Sequence, residues 1–381
     1  MSRVAIVAGA RTPFGKAGRA YKDVHPVDLL RTAFTATIKA AGISGEDIDR
    51  ALVGCTHQMG DQTLNIGRNA WLAAGLTHTK SVLTLDAQCC SGQEVATLGA
   101  ALIGSGQADL VMVGGVESLS RVASGSTFGD GIGNPYPPSL KSLWDMPHQG
   151  MSAERMARKY EITREAVDAY GAASHQRAAE AWKRGVMTDE IVLVNGPRGS
   201  LLEMDEGVRP GATVESAAAL SPVFDPDGIV TAASSSQLSD GAAAVLLASE
   251  KACEKHGLDP IAWIAATAST GADPDIMMEG PIHATAEVLA RAGIDIGAVD
   301  TFELHEAFAV PVLVWMDQMG VSHDVVNIHG GGIALGHPFA ASGTRQLLHL
   351  AHHLRRGGGR RGLQAMCGGG GLGSATVLEV P

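Results

Sequence analysis

At residues 86–93 the chain reads DAQCCSGQ, two adjacent cysteines at the mouth of a helical pattern in a chain with five cysteines in 381 residues. A thiolate, not a thiol, is the nucleophile. A cysteine on a turn between a buried strand and a helix lies near free backbone N–H groups, and the helix dipole there favours the anion. One pKa unit is worth about 1.4 kcal/mol, so modest local electrostatics suffice to activate such a thiol. The competing reading is a pair of buried structural thiols, the commoner fate of cysteine. This segment alone does not choose between them.

Three more segments carry reactive groups. NIHGGGIALGHPFAASGTR sets His337 between Gly336 and Pro338, in a glycine-rich turn that leaves room for a ligand. AMCGGGGLGSA follows Cys367 with four glycines, a pattern suited to backbone N–H groups that must point into a pocket. LHEAFA puts His305 and Glu306 at the end of a strand-like run.

The elements that must position these groups alternate short apolar runs with helical patterns. Val4–Val7, Ala51–Val53, Leu110–Val113 and Thr376–Val380 read as buried strands. Ser91–Ser105 reads as a helix with Val95, Leu98 and Leu102 on its core face. The chain also repeats itself. At a constant offset of 251, KAAGISGEDIDRALVG (39–54) matches ARAGIDIGAVDTFELH (290–305), so that Gly42, Ile43 and Asp49 answer to Gly293, Ile294 and Asp300. The segment CCSGQ runs through a helix and a strand to Gly-Gly, and AASGTR runs likewise to the glycine cluster. Either all α/β units look alike here, or the chain is a duplicated α/β half with a site at the junction of the copies.

Residues 119–230 have another texture. GSTFGDGIGNPYPPSLKSLWDMPHQG is rich in Gly, Pro and Ser and reads as an excursion from the core. Two helices are predicted after it, one capped by Ser152, the other opened by Thr163 and stopped at Gly185. The boundaries that follow are a first half over 1–118 completed by about 231–265, an inserted loop domain over 119–230 covering a site, and a second half over 266–381.

Composition bounds the rest. With 45% hydrophobic and 18% charged residues the chain is globular. A net charge of −11 argues against a nucleic-acid surface, so an anionic ligand must be met by local groups. Cys55, Cys89, Cys90, Cys253 and Cys367 form no CxxC pair and no zinc spacing, and reduced thiols are expected. The start, MSRVAIVAGARTPFG, has no long apolar stretch, and no 18-residue apolar run follows. A soluble cytoplasmic protein, with no membrane contact, is expected. His349, His352 and His353 fall at helical spacing before RRGGGRR and read as a solvated helix end, not a metal site.

Taken together, these segments resemble the thiolase family across essentially the whole chain. The likeness covers RTPFG (11–15), the cysteine loop, GMSAE (150–154), DEGVR (205–209), TAASSSQLSDGAAA (231–244), GPI (280–282), HEAF, GGGIALGHPFAASG and CGGGGLG. The resemblance implies an α/β fold of two duplicated halves in αβαβα layers with an inserted loop domain. It implies reversible acyl transfer from 3-ketoacyl-CoA or acetyl-CoA, with acyl-CoA and CoA as ligands, no cofactor, no metal and a homodimer or homotetramer. It assigns the nucleophile to Cys89 and leaves Cys90 as a small buried filler. His337 would activate the nucleophile and help bind the thioester oxygen, and Cys367 would be the acid/base at the substrate α-carbon. His305 stands at an oxyanion-hole position held by Asn in many thiolases, and the backbone N–H groups of Cys89 and Gly369 would form a second hole. Arg209, Ser236, His148, Gln149, Phe224 and Met277 match positions near CoA or the acyl group. Gln149 replaces a common Met and Ser234 a common Asn. Two other classes compete: a catalytically silent thiolase-fold protein that binds acyl-CoA or supports a partner, and a decarboxylating ketoacyl synthase, against which Cys367 speaks.

Overall fold

A computed structural model describes residues 2–129, 131–197 and 199–381. The first half comprises β1 (Val4–Arg11), α1 (Pro26–Ala41), β2 (Arg50–Gly54), α2 (Ile66–Ala73), β3 (Ser81–Leu85), α3 (Ser91–Gly104) and β4 (Leu110–Ser118). Then come α4 (Gln149–Lys159) and α5 (Arg164–Lys183) of the 119–230 region, followed by β5 (Ser239–Ser249), α6 (Glu250–His256) and β6 (Ala262–Gly271). The last stretch holds α7 (Gly280–Ala292), β7 (Thr301–Leu304), α8 (Ala309–Met319), α9 (Gly332–Leu335), α10 (Phe339–Arg355), β8 (Arg361–Gly368) and β9 (Leu372–Glu379).

The strands run in the order β3-β2-β4-β5-β1-β6-β9-β8-β7. The two ends of this path mirror one another about the β1–β6 junction, where only three residue pairs meet. The offset of 251 holds at atomic detail. Parallel β2 and β4 align Arg50 with Val111, and parallel β7 and β8 align Thr301 with Gly362. Asp49 accepts the N–H groups of Asp109 and Leu110 at 2.7 and 3.0 Å, while Asp300 accepts those of Arg360 and Arg361 at 2.7 and 2.9 Å. Gly42 and Gly293 both end their helices in the left-handed region, at φ +67 and +66, where a side chain is costly.

Alternation along the strands builds the layers. In β5, Ala242, Ala244, Leu246 and Ala248 join Leu29, Leu30 and Phe34 of α1 in one core, whereas Val245 and Leu247 join Val95 of α3 and Leu347 of α10 in another. On the far side, Leu363 and Ala365 of β8 pack with Val288 of α7 and Val310 of α8. The helices α3 and α10 therefore lie between the two half-sheets, with α1 and α7 outside them. They touch at their glycines: a side chain on Gly92 would strike the Ala340 carbonyl, and one on Gly343 would come within 2.5 Å of the Gln93 nitrogen.

Buried acids stitch the motifs together. Arg11, wholly buried on β1, donates to both oxygens of Asp205 at 2.6 and 2.9 Å and to Glu190 at 2.7 Å. A bidentate pair of this kind is strong and directional. Glu154 of GMSAE accepts the N–H groups of Ile229 and Val230. Glu306 of HEAF accepts from Tyr170 (2.8 Å), Ser174 (2.7 Å), Asn327 (3.0 Å) and the Ile333 backbone (3.1 Å). This last carboxylate fixes the glycine loop that leads to His337.

Three sequence expectations fail. The helix after the cysteines buries Val95, Ala96, Gly99 and Ile103, while Leu98 is 45% exposed; the core face is set by the close contact at Gly92 and Gly99, which apolar periodicity does not register. Ser152 lies inside α4, whose N-cap is His148 accepting from Gly150 at 3.1 Å. The α10 histidines are no solvated end: His349 is buried between Glu190 and His329, each 2.9 Å away. The partner that draws it inward comes from the 119–230 region and is invisible to helical spacing. Thr163 does cap α5, and Gly185 (φ +71) follows its end.

Candidate active site

Cys89 ends a tight turn between β3 and α3. Gln88 before it adopts φ +54, and Ser91 clamps the turn by accepting from the Ala87 N–H (2.8 Å) and donating to the Gln88 carbonyl (2.6 Å). The sulfur lies 3.3 Å from Nε2 of His337. His337 in turn is held by its own backbone N–H, which donates to the Gln237 carbonyl at 2.8 Å. Its Nδ1 lies 2.7 Å from the Ser342 hydroxyl, which donates onward to the Pro338 carbonyl at 3.3 Å. With that hydroxyl proton committed, Nδ1 carries the ring proton and Nε2 presents its lone pair to Cys89. Ser342 answers to Ser91 at the repeat offset, so one clamp holds the nucleophile's turn and its twin holds the base.

His305 follows β7, its N–H donating to the Ala365 carbonyl at 2.9 Å. Its ring centroid is 4.2 Å from that of His337. Cys89, His305 and His337, all buried, each offer one ligand-type atom within 4.8 Å of the others. The Nε2 of His305 is buried without a hydrogen-bond partner. Cys367, also buried, lies near the end of β8, close enough to Cys89 for a charge on that sulfur to raise the cost of ionising Cys367. Gly369 faces the cysteine turn from the opposite strand end: a side chain there would come within 3.0 Å of Gln88 Oε1 and 3.2 Å of Gln149 Nε2.

Burial, not the helix dipole, dominates the electrostatics. It pushes the Cys89 thiol up to about 12, partly offset by the Gln149 amide donating to the sulfur. This corrects the expectation of a resting thiolate: Cys89 precedes the N-cap, Cys90, and lies out of water, where the charged form loses its hydration. Burial also holds His337 well below its ordinary 6.5, with His305 and Arg345 adding repulsion. The resting pair is neutral thiol and neutral imidazole. Cys367 is likewise pushed far up by burial and by Cys89.

The remaining residues separate into two groups. Arg209 lines an open cleft of about 450 Å³ together with His175, Ser216 and Leu220. His148 stacks on Phe224 at 5.2 Å between centroids, Phe224 meets Phe308 edge-on, and the adjacent Gln149 reaches Cys89. Ser236 is tied to the HEAF loop by its N–H to the Ala307 carbonyl at 2.9 Å. Met277 is core, 4% exposed. Cys90 packs in the interior with its sulfur 3.7 Å from the Met366 carbonyl. Ser342, Glu117 and the cleft residues Ser216 and Leu220 were not singled out by the sequence; only Ser342 carried a signal, its match to Ser91.

A thiol facing a neutral, oriented imidazole beside a second thiol defines a cysteine-dependent acyl-transfer site. The model of the thiolase N-terminal domain matches residues 4–251 and that of the C-terminal domain residues 258–380. The chain belongs to the thiolase family. It is 38% identical over 387 residues to steroid 3-ketoacyl-CoA thiolase FadA6 of Mycobacterium tuberculosis (100% of this chain, 94% of that one). It is 39% identical over 391 residues to an acetyl-CoA acetyltransferase of Chromobacterium violaceum (99% and 100%). Human mitochondrial 3-ketoacyl-CoA thiolase, crystallised with CoA, superposes with a TM-score of 0.91 at 34% identity over 100% of this chain and 98% of that one. Among the described residues no helix is long and apolar enough to cross a membrane.

Proposed function

We propose that this chain cleaves and forms 3-ketoacyl-CoA by acyl transfer through a thioester on Cys89. The 3.3 Å contact between the Cys89 sulfur and a Ser342-oriented His337 carries this reading. In the cleavage direction, Cys89 gives its proton to His337 Nε2 as sulfur attacks the 3-keto carbon. The C2–C3 bond breaks, the acyl group stays on Cys89, and acetyl-CoA leaves as an enolate. Cys367 protonates the enolate carbon, a task suited to a thiol that burial keeps protonated. The resulting Cys367 thiolate takes the proton of incoming CoA, whose sulfur attacks the acyl-enzyme, and His337 returns its proton to Cys89. His337 and His305 stabilise the enolate oxygen, and the N–H groups of Cys89 and Gly369 the acyl oxyanion. One such donor is worth about 3–4 kcal/mol.

Arg209 would bind CoA in the open cleft, beside Ser216 and Leu220. Ser236, His148, Gln149, Phe224 and Met277 would border the pantetheine and acyl group. The boundaries 1–118 with 231–265, 119–230 and 266–381 are proposed as half, lid and half. A cytoplasmic homodimer or homotetramer fits one surface: β3 is an edge strand with Leu83 52% exposed, and Leu64, Leu72 and Leu98 of the same half are also exposed. Light scattering at micromolar concentration reads the assembly. Incubation with acetyl-CoA should add one acetyl group to the peptide bearing Cys89, by mass spectrometry, and thiolysis over 3-ketoacyl chain lengths should show turnover. No adduct and no turnover at any length would favour the silent acyl-CoA-binding alternative.

A further inference from the structure

The cluster around His305 offers a second use for the groups that the proposed acyl transfer employs. Cys89, His305 and His337 present one sulfur and two ring nitrogens, mutually within 4.8 Å and fully enclosed. We infer that these three side chains form a zinc site that switches the protein off. Zn²⁺ takes Cys sulfur at about 2.3 Å and His nitrogen at about 2.0–2.1 Å in a tetrahedron, which sets ligand-to-ligand separations at roughly 3.3–3.6 Å. The Cys89–His337 separation, 3.3 Å, already lies in that range, and the His305 nitrogen, within 4.8 Å of both, must reach the same range.

The second observation is the state of His305. Its Nε2 is buried and has no hydrogen-bond partner, a condition that costs free energy unless a ligand satisfies it. His337 is prepared in the way metal-ligating histidines are, with Nδ1 donating to Ser342 and Nε2 free. The donor set of one thiolate and two imidazoles, with no carboxylate among the three, selects a borderline-soft cation over Mg²⁺ or Ca²⁺. The nearby cation, Arg345, is paired with Glu303 at 3.1 Å, which reduces its repulsion of a cation held by His305 and His337 without removing it. Binding exchanges the Cys89 S–H proton, released to solvent, for a sulfur–zinc bond. The fourth position is left for a water. Metal and thioester then compete for one sulfur, and because His305 contributes a third of the ligands, the site is particular to chains with His at this position.

The test reads metal binding directly, so its outcome does not depend on the acyl-transfer reading. The full-length protein, stripped with a chelator, is titrated with Co²⁺ as a spectroscopic stand-in and with Zn²⁺. One equivalent of Co²⁺ should produce a sulfur-to-metal charge-transfer band with tetrahedral d–d bands, and Zn²⁺ should displace it. Cys89→Ala should abolish the charge-transfer band, and His305→Asn should weaken Zn²⁺ binding at least tenfold, with circular dichroism confirming that both variants fold. One equivalent of Zn²⁺ should also block alkylation of Cys89 by iodoacetamide, reversibly on adding chelator. Absence of the band, a band that survives in Cys89→Ala, or unchanged Zn²⁺ affinity in His305→Asn would overturn the site.

Discussion

The two copies of the repeat share a frame, and the residues at their strand ends set them apart chemically. At the offset of 251, Cys89 answers to Ala340, His305 to Gly54, Cys367 to Val116 and Gly368 to Glu117. In the second copy the strand ends carry His305 and Cys367 beside the Cys89–His337 pair. In the first, the equivalent space is filled from within: the Glu117 carboxylate accepts the N–H groups of Thr56 (3.0 Å), His57 (3.1 Å) and Ala340 (3.4 Å) and the Gln62 amide (2.8 Å). Ala340 N is the counterpart of Cys89 N. Of the donors to Glu117, one has its twin in the proposed oxyanion hole, the Cys89 N–H. Where the first copy has Glu117 the second has Gly368, and by our proposal that exchange leaves the Cys89 N–H to a substrate oxyanion.

The sharpest way to break this comparison is to move the sulfur. Cys89→Ala should lower acetyl-CoA/CoA exchange by roughly four orders of magnitude or more, as removal of a nucleophile does. Adding Ala340→Cys to that variant restores a thiol at the twin position, where Asp86 and Gly54 stand for His337 and His305, and exchange should stay at the Cys89→Ala level. Recovery in the double variant, measured by exchange of labelled CoA, would show that the copies are chemically equivalent after all.

The plug itself comes next. Glu117→Ala strands three backbone N–H groups and the Gln62 amide, each buried donor at about 1–3 kcal/mol, so a loss of about 3 kcal/mol or more is expected in urea unfolding. Glu117→Gln, which keeps the shape, should lose less. A loss below about 1 kcal/mol for the alanine variant would mean that water already satisfies these donors.

Much of this was legible in the residues. The repeat, the strand-end placement of His305 and the glycine cluster followed from pattern and spacing, and DAQCCSGQ named its own turn. What pattern could not carry were partners drawn from distant segments. His349 is buried because Glu190, 159 residues away, meets it. Leu98 is exposed because glycine contact, not leucine, sets the buried face of α3. The resting charge of Cys89 was misread because the helix-dipole argument is local, whereas burial sums over the whole fold.

The contact between the copies offers a smaller effect. A side chain on Gly343 would come within 2.5 Å of the Gln93 nitrogen and 2.9 Å of the Met366 sulfur, so Gly343→Ala must part α3 from α10. Overpacking of this kind costs about 1–3 kcal/mol. Because Cys89 and His337 sit at the mouths of these two helices, iodoacetamide labelling of Cys89 should change in the same variant, whereas a surface change such as Gly104→Ala should move neither readout.

The smallest effect separates the copies by pH. His305 in the second copy is held down at about 3, by burial first and Arg345 second, and Gly54 in the first copy titrates nothing. Unfolded, a histidine takes up its proton near 6.5. Between about 6.5 and 3 the unfolded chain therefore binds the extra proton, so stability is complete above 6.5 and falls as pH drops through this window. For one ring the loss is about 1.4 kcal/mol by pH 5.5. His337, also lowered by burial, adds to the slope, and His329, His175, His323 and His353 contribute the same background to any variant. His305→Asn should flatten the dependence of unfolding free energy on pH by about one proton's worth between pH 6.5 and 5.5. An unchanged slope would mean that His305 is already reached by water in the resting cavity, and that the cavity of the second copy is wetter than its enclosed geometry implies.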